Sequence, residues 1–214
     1  MVERRRRLAP EQRRGQLLDV GAAMFAEHPY EDVLMEDIAA RAGVSRGLLY
    51  RYFPGKRELF AAIFKRDSDR LLAASRIDPG LPMAEQVKAG LDAHLDYFAA
   101  HKHNILTANR GALAGDPAIQ AIISDELATL RNRLLDALGE EKRAREVASA
   151  ALHGWLAFVR AVCVEWLQHS RPSRDEVRDL CLRALGGLFP AQTGLDRLTG
   201  PHPTAPEPSE PADP

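Results

Sequence analysis

The chain has 214 residues, 45% apolar and 28% charged, with a formal net charge of −1. That balance is ordinary for a globular protein, excludes a fibrous or wholly disordered chain, and gives no bulk signal for a polyanionic partner. Two cysteines, Cys163 and Cys181, are too few for a disulfide framework. Both fall in apolar helical patterns, as small buried hydrophobes of a reducing compartment do.

The charge is unevenly placed. Residues 1–70 hold 14 Lys+Arg against 11 Asp+Glu, and the remainder 15 against 19. A basic head on an acidic body turns toward a polyanion. The N-terminus MVERRRRLAP has no apolar stretch behind it, so no secretory signal is read and a cytoplasmic location is expected.

Arg4 to Arg7, with Arg13 and Arg14 beyond, make residues 1–10 a basic arm, expected to be disordered and to add nonspecific affinity for DNA. A helix is expected from Glu11 to His28, striped by Leu17, Leu18, Gly21, Ala22, Met24 and Phe25. Met35, Ile38, Ala39 and Ala42 recur at spacings of three and four and mark a short second helix. Gly43 follows where a helix ends in a left-handed conformation, and Ser45 can cap the next helix. Pro54 biases Phe53 away from helical dihedrals, so that third helix is very short. Two short helices joined by a glycine-containing turn form a helix-turn-helix. Leu49, Tyr52 and Phe53 can pack inward, leaving Arg46, Gly47, Tyr50 and Arg51 outward, a set suited to a major groove bordered by phosphates. Lys56 and Arg57 open another helix, where a cation beside free amides can hold a phosphate.

At this point the sequence resembles a known family. The run IAARAGVSRGLLYRYFPGKRELF is similar to the DNA-binding domain of TetR-family bacterial transcriptional regulators. Ile38, Ala39, Ala42, Gly43, Val44, Ser45, Gly47, Leu49, Tyr50, Phe53, Lys56 and Leu59 match its pattern in place. Leu18, Ala22, Phe25 and Tyr30 match the family's first helix, so the resemblance covers about residues 11–65. Three positions depart from it: Leu48 and Val33 stand where threonine is usual, and Pro29 where glycine is usual. Leu48 loses a hydroxyl near DNA and gains an apolar group able to touch a thymine methyl. The DNA-binding set is therefore Ser45, Arg46, Gly47, Leu48, Tyr50, Arg51, Tyr52 and Lys56. The resemblance implies a homodimer on a double-stranded DNA operator and a variable helical domain that takes a small-molecule effector.

Beyond the motif, a helix should run from Lys56 toward Ser75 and connect head to body. IDPGLP, residues 77–82, is a turn-rich break. Met83, Val87, Leu91, His94, Leu95 and Phe98 line the next helix, and residues 104–113 a short one. Asp116-Pro117 is a start signal, an N-cap followed by proline at the first helical position. Ile119, Ile122, Ile123, Leu127, Leu130 and Leu134 carry that helix to Gly139. Residues 140–169 form the least polar helix, long enough to suggest a membrane span. Arg160, His153 and Ser149 argue against a membrane, since arginine near a span's centre costs at least about 2.5 kcal/mol. Ser173 and Glu176 read as a capping box for a last helix, weakened at Gly186-Gly187. These last two apolar helices suggest a dimer interface. Residues 190–214 are proline-rich and expected to be disordered.

The fold class expected is all-α: an N-terminal three-helix helix-turn-helix domain and a C-terminal helical-bundle ligand-binding and dimerisation domain. The divisions are 1–10 (arm), 11–56 (DNA-binding), 57–76 (connecting helix), 77–189 (ligand-binding and dimerisation) and 190–214 (tail). His94, Tyr97, Phe98, His101, Asn104, Asn109, Trp155, Phe158, Val159, Val162 and Trp166 put polar atoms or rings among apolar positions, and are the ligand-binding candidates. They favour a largely apolar or aromatic effector. His94, His101 and His103 lack an acidic or cysteine companion at ligand spacing, so no metal and no cofactor are expected. No nucleophile–base constellation points to an enzyme. The function expected is a repressor released from its operator by effector. The alternatives are a helical small-molecule carrier or enzyme with a vestigial helix-turn-helix, or an activator without an effector.

Overall fold

The computed structural model describes residues 8–75, 80–139 and 142–189. The basic run Arg4–Arg7, residues 77–79 of the turn-rich break and the proline-rich tail lie outside these. Among the described residues the chain forms nine α-helices, a single 3-10 turn and no strand. The helices are α1 (Pro10–Glu27), α2 (Met35–Arg41), α3 (Arg46–Tyr52), α4 (Lys56–Ala74) and α5 (Met83–Ala100). They continue with α6 (Lys102–Asn109), α7 (Pro117–Leu138), α8 (Lys142–His169) and α9 (Arg174–Leu188). The fold is all-α, a three-helix head followed by a helical body.

Local chemistry sets the head. Gly43 has φ 64°, and its N–H donates to Ala40 O while Val44 N–H donates to Ala39 O, both at 3.0 Å. These two crossed bonds make a Schellman turn, which only a residue tolerant of the left-handed region closes without strain. Ser45 Oγ accepts from Leu48 N–H at 3.2 Å and starts α3. Phe53 is extended before Pro54 and stops it. Leu17, Phe25, Ile38, Leu49, Leu59 and Phe60 fill the space between α1, α2, α3 and α4. Phe25, Tyr30 and Phe60 form an aromatic triangle with centroids 5.2 to 5.7 Å apart. At Gly21 the helices α1 and α4 approach closely, since a Cβ there would lie 2.9 Å from Ile63 Cδ1.

Helix α4 belongs to both parts, packing on α1 in the head and on α7 in the body. Asp116 caps α7 with one carboxylate oxygen on the N–H groups of Ala118 and Ile119. The helix ends at Gly139, φ 67°. Ser173 and Glu176 close a capping box at the start of α9. Helix α8 is long and apolar enough to cross a bilayer. Its Arg160, however, is buried against α6 and α7, and Trp155 Nε1 donates to Cys181 O of α9 at 2.9 Å. Burial pushes the Cys163 and Cys181 thiols up to about 12 and about 11, so both are protonated core groups.

One helix boundary differs from the sequence reading. The short helix expected at 104–113 is Lys102–Asn109, because Arg110 N–H and Gly111 N–H both bond Leu106 O and close the turn there. Gly111 then passes so close that a Cβ would lie 2.9 Å from Thr107 Cα. Gly186 and Gly187 lie within the last turn of α9, which runs to Leu188 with Leu185 and Gly186 buried.

Candidate nucleic-acid interface and internal cavity

The short α3 is held from below by Leu49, wholly buried, and by Phe53. Its opposite side is open: Ser45, Arg46, Gly47, Tyr50 and Arg51 are exposed, with Leu48 and Tyr52 half-buried. No neighbour within 4 Å would meet a Cβ at Gly47, so backbone is presented there. Arg46 pairs with Glu36 of α2 at 2.6 Å, both side chains well exposed. That pair is weak in water and exchangeable for a phosphate or a base edge. The Arg51 guanidinium lies over the Tyr52 ring at 5.9 Å, and that of Arg14 over Phe53 at 5.3 Å.

Lys56 does not present a free cation. Its ammonium donates to the carbonyls of Tyr30, Glu31 and Val33 at 2.8, 3.2 and 3.0 Å, and sits 4.5 Å from the centre of the Tyr30 ring. An ammonium has three donors, and three carbonyls take them. In the chain without DNA the side chain fastens the loop before α2 to the start of α4. The nearby Arg57 reaches the other way, to Glu58 at 3.1 Å and Asp116 at 2.9 Å. Head and body are therefore tied at the residue that caps α7.

In the body a cavity of about 160 Å³ opens between α5, α7 and α8, with the end of α4 at its rim. Of the eleven sequence candidates it contains His94, Trp155 and Val159. The other eight do not line it. Phe98 is fully buried beneath it, its ring centre 4.1 Å from that of His94. Tyr97 stacks on His101 at 4.3 Å, and His101 Nδ1 lies 2.9 Å from Tyr97 O. Asn104 is buried in α6, and Asn109 accepts from Arg160 Nε at 2.9 Å. Phe158 is exposed on the far side of α8, and Val162 and Trp166 are half-buried. The residues missed include Gln86, Val87, Gly90 and Leu91 of α5, Leu127, Leu130, Arg133 and Leu134 of α7, and Leu156 of α8. Their spacing is visible as helical stripes, but a stripe facing a void and one facing a neighbour read alike.

A polar network lies below the cavity. Arg160 Nη1 faces Glu126 Oε1 at 3.4 Å, and the Ser68 hydroxyl of α4 donates to Glu126 Oε2 at 2.6 Å. Burial pushes the Glu126 carboxyl up and the Arg160 guanidinium down. The pair is nevertheless ionised, because a neutral Glu126 would leave a buried guanidinium without a counter-charge. Arg160 also sits 5.6 Å above the Phe98 ring. The line His94–Phe98–Arg160–Glu126–Ser68 runs from the cavity to α4.

Residues 17–63, the span of the helix-turn-helix and its supports, match the family model for bacterial regulatory proteins of the tetR family. The chain belongs to the TetR family. It is 27% identical over 173 residues to the HTH-type transcriptional activator FasR of Mycolicibacterium smegmatis, covering 78% of this chain and 77% of that one. It is 35% identical over 80 residues to the HTH-type transcriptional repressor KstR of Rhodococcus jostii, covering 37% and 38%. A tetR-family transcriptional regulator from Streptomyces coelicolor shares its fold, with TM-score 0.75 at 23% identity over 90% of this chain and 88% of that one. The regulator is a DNA-binding transcription factor of this family.

Proposed function

We propose that the regulator is a homodimeric repressor that leaves a pseudo-palindromic operator when a small, largely apolar effector enters the cavity. The observation that carries the DNA half is the open face of α3, where Arg46, Gly47, Tyr50 and Arg51 stand clear on a helix stopped at both ends. Arg46 and Arg51 would make the groove and phosphate contacts, with Ser45, Leu48, Tyr50 and Tyr52 beside them. Two such helices in one dimer would enter successive major grooves about 34 to 36 Å apart.

Support for the dimer comes from apolar surface left uncovered on α8 and α9. Val147 is 66% exposed and Leu188 49%, with Phe158 and Leu180 also open. No atom within 4 Å would meet a Cβ at Gly154 or Gly187, so a partner helix could approach closely. Helix-helix association through these faces would set the spacing of the two heads.

The effector would act on α7, whose middle lines the cavity and whose capping residue Asp116 holds Arg57 of α4. A shift of α7 is thereby felt at the base of the reading head. A ligand needs to prefer the spread state by only a few kcal/mol to release DNA. The location that follows from this role is the cytoplasm.

The test is retardation of the promoter DNA beside the regulator's own gene, followed by footprinting. Protection over the promoter supports repression. Protection upstream with increased transcription supports the activator alternative, and no retardation at low salt removes the DNA-binding role.

A further inference from the structure

We propose that the cavity recognises an elongated apolar molecule carrying a hydrogen-bonding oxygen at each end, one held by Gln86 and the other by His94. The proposal rests on reading this cavity as the effector site and adds the chemistry of what it takes.

Two buried polar atoms of the lining have no partner. They are Gln86 Oε1 and His94 Nε2. Burying such an atom unpaired is unfavourable, so a native site that leaves two of them against one cavity implies a group that completes them. Both residues sit on α5, eight positions apart, and eight residues of helix rise about 12 Å. Between them lies Gly90, which also lines the cavity and where a Cβ would meet nothing within 4 Å. The wall between the two polar points is therefore open along its length, and Leu130, Leu134 and Leu156 face it. The ligand's body must be apolar and its polar atoms terminal.

The ends are distinguishable. The Gln86 Nε2 donates to Leu81 O at 2.6 Å, which leaves Oε1 as an acceptor in need of a donor such as a hydroxyl. His94 is only 8% exposed and its ring stacks on Phe98, with the Arg160 guanidinium on that same phenyl ring. It is a neutral imidazole, able to meet a hydroxyl through Nε2. Arg133 also lines the cavity, at its rim, where its Nη1 donates to the neutral carbonyls of Leu72 and Ser75 and no carboxylate pairs with it among the described residues. A carboxylate end drawn to that guanidinium is the rival that octanoate tests.

The experiment titrates the full chain calorimetrically with octane-1,8-diol, octan-1-ol and octanoate, in the wild type and in Q86L, H94F and H94Q. The quantity read is the affinity ratio of diol to octanol. In either apolar variant octanol already satisfies the one remaining group, so the second hydroxyl gains nothing and the ratio falls roughly three- to tenfold from wild type. H94Q, which keeps a hydrogen-bonding end, retains part of the preference, and the far-UV circular dichroism and melting temperature serve as the folding control in every variant. A ratio unchanged in both Q86L and H94F, or octanoate binding tightest to wild type, overturns the proposal. Diol binding that leaves operator retardation unaltered keeps the ligand chemistry and removes the effector role. If none of the three probes binds, both readings fall.

Discussion

At the residue scale, the side chain that most changes its meaning between sequence and structure is Lys56. With its three donors on Tyr30, Glu31 and Val33, it is a clamp within the head. Replacing it by alanine strands those carbonyls and is expected to lower stability by about 2 kcal/mol in urea titration. The salt dependence of DNA binding should stay near wild type; a flattened slope with unchanged stability would return Lys56 to the phosphate backbone. His94 gives a second expectation. Burial first, then the nearby Arg160, push it down to about 3 from an ordinary 6.5. The unfolded chain thus takes up a proton that the folded chain refuses, so this contribution is complete above about pH 6.5 and is lost as pH falls toward 3. Against wild type, H94Q should narrow the stability difference between pH 7.5 and pH 5 by about 2 kcal/mol. Glu126 and Asp67, raised by burial, titrate with the opposite sign and are common to both proteins. An equal pH slope in the two proteins would mean that His94 is not held neutral.

At the scale of elements, α2 and α3 were legible almost to the residue, because their ends are written locally. Gly43, Ser45 and Pro54 each act within a few positions through a positive φ, a hydroxyl and a ring. Gly43→Ala should cost about 1 kcal/mol and lower the melting temperature, while Gly47→Ala, with open space around it, should not. What was not legible depends on partners far along the chain. The Lys56 clamp joins residues 23 to 26 positions apart, and the Arg57–Asp116 pair joins residues 59 apart. Sequence located the cavity only at His94, Trp155 and Val159, because the leucines of α7 carry the same periodicity whether they face a core or a space. The Arg57–Asp116 link carries its own prediction. Asp116→Asn keeps a capping oxygen but weakens the hold on Arg57, so stability should change little while effector-driven release of DNA is blunted. Undiminished release in that variant would place the coupling elsewhere, with the Ser68–Glu126 hydrogen bond the next to test.

At the scale of the whole molecule, a basic, open α3 stands at one end and an uncovered apolar face of α8 and α9 lies on the body. Together they fit a two-headed reader whose spacing is set by its own dimer. Charged substitution on that face, Phe158→Glu, should give a monomer in sedimentation and a large loss of operator affinity without loss of helix content. A dimer that persists would move the interface off α8. Chain-wide charge hid all this, since the basic head and acidic body nearly cancel. The most direct measurement is the salt dependence of binding to the promoter fragment, by fluorescence anisotropy, for wild type and Arg51→Ala. The account predicts weaker binding by the variant, with the slope of log affinity against log salt reduced by about one for each phosphate that a protomer no longer neutralises. Identical affinity and slope in the two proteins would contradict it.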